Sequence, residues 1–230
     1  SVTDDAVREK WARAWQVAPE ALSDEEGLDN FLMIEHAHDK QLRAMYIIGE
    51  DTAFSDANST KVDEAFSQLD FMVVQDIFMS KTARYADVVL PGCPSLEKEG
   101  TFVNTERRIQ HFSPAFAPLG ESRPDWQILT DLAARLGHHW RYPNPGAIMA
   151  EAAGIADLFA GVSYEQLVGW QSQLWPVKAD GSSTPLLYTD AFAFPDGKAR
   201  LYALEWQPPE EQPDAEYDLL LNNGRMLEHF

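Results

Sequence analysis

Cysteine is nearly absent from the chain, which has a single one, Cys93, among 230 residues. One thiol excludes an internal disulfide, and it cannot by itself hold an iron–sulfur cluster, because such clusters usually take four thiolates. The cysteine lies between Gly92 and Pro94, and we interpret it as a small loop residue rather than as a nucleophile. A sequence so poor in cysteine fits a reducing compartment, so we expect a cytoplasmic protein.

Positive charge is also scarce. The chain has 18 Lys and Arg against 37 Asp and Glu, which gives a formal net charge of -19. Such a surface repels a phosphate backbone, and no cluster of basic residues offsets it locally, so we expect no nucleic-acid partner. Long hydrophobic runs are missing too, since apolar stretches such as 71–74 and 88–90 are far too short to cross a bilayer. We therefore expect no transmembrane segment.

Several signatures of catalytic and metal sites are missing as well. No G-x-G-x-x-G follows the first predicted strand and no G-x-x-x-x-G-K-[ST] occurs, so neither ordinary NAD recognition nor P-loop chemistry is supported. The histidines lack the spacing of a zinc site, and acidic residues are too widespread to select a hydrolytic pair. The sequence therefore predicts no catalytic residue and no metal ligand.

The sequence does contain an alternation of apolar strands and amphipathic helices. Apolar runs at 44–48, 71–74 and 86–90 predict buried strands, and the apolar stripe over 59–69 predicts a helix between the first two. Further helices are predicted at 3–16, 28–40 and 126–136. This order indicates an α/β fold with a Rossmann-like parallel sheet flanked by helices.

A short β-hairpin interrupts this pattern. Residues 100–105 and 107–112 predict two strands around a tight turn, within an excursion of about 96–122. We expect an α/β lobe over 1–145, a helical and turn-rich extension over 146–212, and the start of a β-rich domain over 213–230. The elements predicted in the last two parts are helices at 147–159 and 164–170 and strands at 199–206 and 217–221.

Polar residues follow the predicted strands at their carboxyl ends. Gly49 and Asp51 follow the first strand, and Gln75 and Asp76 follow the second. Ligands of open parallel sheets bind at this edge, where a carboxylate can accept from guanine N–H groups or ribose hydroxyls and a glycine allows close approach. The residues alone leave a second interpretation equally open, in which Asp51 and Asp76 only cap helices.

Six blocks of the sequence carry a family resemblance, and they extend over nearly the whole chain. The blocks are residues 45–51, 73–83, 86–91, 97–108, 123–128 and 223–230. In wording, order and separation they resemble the molybdopterin oxidoreductase family. The Gln-Asp-Ile-Phe segment at 75–78 and the last block are most similar to formate dehydrogenase catalytic subunits.

The resemblance implies a cofactor and its contacts. It implies two molybdopterin guanine dinucleotides around one molybdenum or tungsten, with this lobe gripping the guanosine of one of them. The residues that match cofactor contacts of the family are Gly49, Asp51, Ser55, Gln75, Asp76, Asp125, Arg225 and His229. Among them Asp125 matches an acid that reads the guanine edge, whereas Arg225 and His229 match residues that reach the pterin and the phosphates.

The resemblance also implies that essential parts lie outside the chain. The 4Fe-4S cluster of the family, its metal-binding Cys or selenocysteine and the partner sheet of the hairpin match nothing here. The expected function is that of a cofactor-binding fragment, inactive alone, of a molybdenum-dependent formate dehydrogenase catalytic subunit, which when complete oxidises formate to carbon dioxide and passes on two electrons. Its expected partners are the remainder of that subunit and an electron-transfer subunit or carrier. Alternatives are a fragment of a related oxidoreductase, such as assimilatory nitrate reductase, and a stand-alone nucleotide-binding or interaction module.

Overall fold

The computed structural model describes residues 2–209 and 211–221. These residues form two units, the first ending at Pro185 and the second beginning at Leu186. In the first unit the helices are α1 (Asp5–Trp15), α2 (Asn30–His38), α3 (Thr52–Ser55), α4 (Ser59–Gln68), α5 (Asp125–Arg135) and α6 (Pro145–Ile155), and the strands are β1 (Ala44–Ile48), β2 (Phe71–Asp76), β3 (Val88–Pro91), β4 (Gly100–Val103), β5 (Arg108–Phe112) and β6 (Ser172–Leu174).

The first sheet is parallel, in the order β1–β2–β3, which confirms the predicted α/β fold. Ala44 pairs with Phe71 and Val73 with Val88, so β2 has a neighbour along each edge. Helix α2 packs against α4. The buried side chains of this core are Ile34, Ala37, Ile47, Ala53, Val62, Ala65, Phe66, Met72, Val74 and Ala83. The apolar runs predicted as strands are therefore strands, and their buried side chains pack against helices in this core.

Side-chain caps fix where several helices begin. The carboxylate of Asp4 accepts from the backbone N–H groups of Ala6 and Val7, at 2.9 and 3.3 Å, and so α1 starts at Asp5. Asp29, Asn58 and Asn144 cap α2, α4 and α6 in the same way. Short polar side chains are favoured at this position because they satisfy N–H groups that have no partner within the helix.

The second sheet is antiparallel, in the order β4–β5–β6. Strands β4 and β5 form the predicted hairpin, in which Gly100 is paired with Phe112. The expectation that the partner sheet of this hairpin lies outside the chain is wrong for one edge, since β6 pairs with β5 through Arg108 and Leu174. A second core lies under this sheet and consists of Ile109, Val162, Leu167 and Val177.

The helical part of the first unit is shorter than predicted. Helix α6 ends at Ile155 and is followed by a single 3-10 turn, Asp157–Phe159, and the helix predicted at 164–170 is only the 3-10 turn Tyr164–Leu167. Helix α1 packs on α6, where Trp15 Nε1 donates to Glu151 Oε1 at 3.0 Å.

The second unit has neither helix nor strand within 186–209 and 211–221. The strands predicted at 199–206 and 217–221 are therefore wrong. Their apolar side chains lie in solvent, with Leu201 96% and Leu221 92% exposed. A strand needs a neighbour for its backbone hydrogen bonds, and none of the described residues provides one. Arg225 and His229 lie outside the described residues, as does the remainder of the β-rich domain predicted over 213–230.

Candidate functional site

A cavity of about 310 Å³ lies at the carboxyl ends of β1, β2 and β3, and we name it the strand-end cavity. Its lining residues are Ile48, Gly49, Gln75, Asp76, Ile77, Gly92, Cys93, Pro94, Ser95, Lys98 and Asp125. Four of the residues predicted to bind a cofactor are thus together: Gly49, Gln75, Asp76 and Asp125. The cavity occupies the edge where parallel sheets bind ligands.

Gln75 is the buried centre of this cavity. Its side chain is fully buried at the end of β2, and its Oε1 accepts from the hydroxyl of Tyr46. Its Nε2 donates to Asp125 Oδ1 at 2.7 Å. Because a carboxylate only accepts, this contact fixes the orientation of the amide. Burial, followed by the negative charge of Asp125, raises the pKa of Tyr46, which therefore stays a neutral donor.

Asp125 begins α5 and reaches the cavity because the preceding segment pairs with β3. Arg123 N donates to Pro91 O at 3.0 Å, and Cys93 N donates to Arg123 O at 3.1 Å. This short parallel bridge joins Gly92 to Arg123 and brings α5 beside the sheet. The second carboxylate oxygen of Asp125 is bound by the ammonium of Lys98.

Two glycines shape the walls. A Cβ at Gly92 would lie 3.2 Å from Asp125 Oδ1, a tight contact that the glycine avoids. Gly49 directly follows β1 with φ +63°, in the left-handed region that glycine adopts without strain, and its N–H donates to Gln75 O at 2.8 Å. At both positions the cavity is lined by backbone without a side chain, with Gln75 between them.

Asp76 lines the cavity but also holds the loop that follows it. Its Oδ1 accepts from Ile77 N at 2.6 Å and from Phe78 N at 3.3 Å. Such a contact of a carboxylate with the next backbone N–H groups stabilises a turn. Asp76 therefore caps a turn rather than a helix, and its second oxygen makes no hydrogen bond among the described residues.

Asp51 and Ser55 lie apart from the strand-end cavity lining. Asp51 Oδ1 accepts from both Thr82 N and Thr82 Oγ1 at 2.8 Å, and its Oδ2 accepts from Lys81 N at 3.3 Å. Burial opposes ionisation of Asp51, but these hydrogen bonds outweigh it and lower the pKa. Ser55 Oγ donates to Glu50 Oε1 at 3.2 Å at the exposed end of α3. Asp51 makes no side-chain cap to α3; its carboxylate accepts instead from the backbone N–H groups of Lys81 and Thr82, at the start of the 3-10 turn Thr82–Tyr85.

A second cavity, of about 350 Å³, adjoins the first, and we name it the hairpin cavity. Its lining residues are Ser95, Lys98, Glu99, Gly100, Thr101, Phe102, Phe112, Asp125, Trp126, Pro145, Ile148, Met149, Ala152 and Tyr164. Ser95, Lys98 and Asp125 line both cavities. Lys98 was missed as a site residue: it stands in the 97–108 block, but nothing in that block indicates that it meets Asp125.

A comparison with models of protein families identifies the family of this chain. The model described as molybdopterin oxidoreductase matches residues 12–135, which contain the parallel sheet and all residues that line the strand-end cavity. The chain belongs to the molybdopterin oxidoreductase family. Family membership implies a molybdopterin-type cofactor, and the resemblance read from the six sequence blocks is confirmed.

Curated relatives of this family match the whole chain. It is 55% identical over 229 residues to "Probable oxidoreductase YjgC" and 51% identical to "Putative formate dehydrogenase YrhE", both of Bacillus subtilis (strain 168). Each alignment covers 100% of this chain and 23% of the relative. The chain therefore spans about a quarter of the length of these relatives.

One solved structure has a similar fold. Acetylene hydratase from Pelobacter acetylenicus superimposes with a TM-score of 0.59 at 20% sequence identity, over 84% of this chain and 26% of that one. At this identity the likeness shows the fold alone.

The strand-end cavity presents a carboxylate, an amide and open backbone, which is a set of groups suited to hydrogen bonding with a cofactor. Within 2–209 and 211–221 no group of three or more His, Cys, Asp or Glu side chains is placed to hold a metal ion. Cys93 is buried, and burial raises the pKa of its thiol, which disfavours the thiolate that metal binding requires. Gly92, in contrast, presents only backbone beside Asp125. Among the described residues no helix has the length and apolar character needed to cross a membrane.

Proposed function

We propose that the strand-end cavity binds the guanosine of a molybdopterin guanine dinucleotide. The observation that carries the proposal is the carboxylate of Asp125, which Gln75 holds at 2.7 Å beside the bare backbone of Gly92. Guanine offers two neighbouring N–H donors on one edge, and a carboxylate accepts two. Adenine has an acceptor at the corresponding ring nitrogen and would meet the negative charge of Asp125 with a lone pair.

The other residues predicted to contact the cofactor have different roles in this proposal. Gly49 and Asp76 lie in the lining, where an open backbone and a free carboxylate oxygen suit a ribose. Asp51, with both oxygens bound to 81–82, acts by holding the loop, and Ser55 lies near it on α3. Arg225 and His229 remain predicted contacts of the pterin and the phosphates.

We further propose that the whole protein is a formate dehydrogenase catalytic subunit, of which this chain is the cofactor-binding part. The 51% identity to a relative named as a formate dehydrogenase supports this substrate. When bound, the cofactor with molybdenum or tungsten supplies the oxidation of formate to carbon dioxide, and a 4Fe-4S cluster and an electron-transfer partner carry the two electrons away. The chain alone is inactive in this proposal, and the protein works in the cytoplasm.

A second candidate is a related oxidoreductase with another substrate, for example nitrate. The relative at 55% identity is compatible with it, because the name of that relative gives no substrate. Assays of the complete enzyme separate the two, because only the first candidate reduces an artificial electron acceptor with formate. Nitrate-dependent oxidation of a reduced dye, without a formate reaction, would support the second.

The guanosine site is tested by titrating the 230-residue chain with guanosine and with adenosine while following tryptophan fluorescence, since Trp126 lies beside Asp125. We expect a guanosine preference that Asp125→Asn lowers by about tenfold or more, because hydrogen bonds to a charged group contribute about 1.5–3 kcal/mol. The matched control is Asp70→Asn, an acid paired with Arg43 at the opposite end of β2. Equal affinity for both nucleosides, or an unchanged preference in Asp125→Asn, would reject the site.

A further inference from the structure

Lys98 lies at the boundary between the strand-end cavity and the hairpin cavity and lines both. Among the described residues it is the only Lys or Arg that lines either cavity. Their other charged lining residues are acids: Asp76 in the first, Glu99 in the second and Asp125 in both. An anionic ligand that enters here therefore meets one cation among carboxylates, in a protein whose net charge is -19.

Without a ligand, Lys98 already forms an ion pair. Its ammonium binds Asp125 Oδ2, while Gln75 Nε2 donates to Oδ1 of the same carboxylate. Gln75 is fixed, because it is fully buried and also bound to Tyr46. Lys98 is partly exposed and stands on a flexible four-carbon stem. When a guanine edge approaches Asp125, Lys98 is the partner that can leave.

We propose that Lys98 sets the preference of this site for phosphorylated over unphosphorylated guanosine. Without ligand the ammonium neutralises Asp125, and when a guanosine phosphate binds it moves from Asp125 to the phosphate. This inference rests on the proposed guanosine site and adds to it the residue that recognises the anionic part of the ligand.

The two roles of Lys98 have opposite consequences for a neutral and an anionic ligand. For guanosine the lysine is a competitor, because its ion pair with Asp125 must break and the ligand offers the ammonium no new anionic partner. For a guanosine phosphate the lysine is a partner, because the lost ion pair is exchanged for one with the phosphate. A residue that merely supported the shape of the cavity would change both affinities in the same direction.

The experiment compares Lys98→Gln with the parent by calorimetric titration of the 230-residue chain with guanosine and with GDP. We expect guanosine to bind the variant as tightly or up to about fivefold more tightly, in line with a partly exposed ion pair of at most about 1 kcal/mol. GDP should bind it about fivefold or more weakly, and the dependence of GDP binding on salt should become smaller. Lys98→Arg, which keeps the charge, should retain the preference for GDP.

Lys61→Gln is the matched control. Lys61 pairs with Glu35, and their exposures of 29% and 29% resemble the 23% and 34% of Lys98 and Asp125, but the pair lies between α2 and α4. This control should leave both affinities unchanged, and circular dichroism should show that each variant is folded.

The outcomes separate the two proposals. Parallel changes of guanosine and GDP affinity in Lys98→Gln, or no change in either, would overturn the role of Lys98 while the Asp125-dependent guanine preference of the parent stands. If the parent shows no such preference, the proposed guanosine site fails and the inference fails with it.

Discussion

Asp51 illustrates how one residue can follow a strand end and still have its side chain bound elsewhere. It lies two residues after Gly49, but its carboxylate is held by Thr82 and Lys81 rather than lining the strand-end cavity. Both of these partners lie in the loop between β2 and β3. Asp51 therefore ties the β1 end of the sheet to that loop, and its predicted contact with a nucleotide stays a prediction.

This tie predicts an effect of Asp51→Asn on stability. The amide Nδ2 cannot accept from Lys81 N–H, so the variant should lose about 1–3 kcal/mol of unfolding free energy at pH 7. The folded-state pKa of Asp51 is lowered, so its contribution is present above the unfolded pKa near 4 and is lost as the pH falls through the folded value. Urea unfolding at pH 7 and at pH 3 should therefore show a smaller difference at pH 3.

The control for this prediction is again Asp70→Asn. Asp70 pairs with Arg43 at an exposed site, so the substitution should cost at most about 1 kcal/mol. If Asp51→Asn costs no more than this control at pH 7, the hydrogen bonds to 81–82 do not stabilise the fold.

Single residues of the site differ in how far the sequence alone predicts them. The rule that ligands bind at the carboxyl ends of parallel strands is enough to select Gly49, Gln75 and Asp76. Asp125 came only from the family resemblance, because α5 reaches the cavity through the bridge between Gly92 and Arg123. Lys98 was missed since its pairing with Asp125, 27 residues away, depends on that same tertiary arrangement.

The helices and strands could be predicted where their sequence pattern is local. The predictions failed where an element depends on a partner that is distant in the sequence. The runs at 44–48, 71–74 and 86–90 are apolar on both faces, and all three overlap strands of the parallel sheet. Strand β6 is only Ser172–Leu174 and exists because β5 lies beside it. The run at 199–206 is mostly apolar too, yet it has no partner strand among the described residues and does not form a strand.

Contacts of one carboxylate also join elements in the helical part. Glu151 on α6 accepts from Trp15 Nε1 on α1 at 3.0 Å and from the hydroxyl of Tyr142 at 2.7 Å. The hydrogen bond to Glu151 and then burial raise the pKa of Tyr142 to about 12. Glu151 therefore fastens both the first helix and the loop before α6.

Alkaline pH should weaken this junction. Because the folded pKa of Tyr142 lies above the unfolded value near 10, its contribution is fully present below about pH 10 and is lost as the pH rises toward 12. Tyr142→Phe should therefore be about 1 kcal/mol less stable than the parent at pH 8, and the difference should shrink by pH 10.5 in urea unfolding. Tyr202→Phe, at an exposed position, should follow the parent at both pH values. A difference independent of pH would contradict the role of Tyr142.

At the scale of the whole molecule, the described surface carries many exposed apolar side chains for its size. Phe54, Phe78, Leu119 and Trp170 are each at least 74% exposed, and exposed apolar patches commonly mark interaction surfaces. The chain covers only 23% of the length of its relatives. The proposed remainder of the catalytic subunit would give these side chains a partner, and this would account for their exposure.

The division into two units leads to a last prediction, which concerns a chain that ends at Pro185. All residues that line the strand-end cavity lie between Ile48 and Asp125, in the first unit. The end of that unit is anchored by Arg107, whose guanidinium donates to the carbonyl oxygens of Thr184 and Pro185 at 3.1 and 2.9 Å. The shortened chain should therefore keep the guanosine affinity and the guanosine preference of the 230-residue chain within about twofold, well inside the range expected for removing groups that make no contact with the ligand.

Arg225 and His229 are predicted to reach the pterin and the phosphates, so their removal should weaken only ligands that carry those groups. Calorimetric titration with guanosine measures the effect, and Arg107→Ala in the shortened chain tests the anchor by its unfolding temperature. Loss of guanosine binding in a shortened chain that is still folded would mean that residues 186–230 complete the nucleoside site.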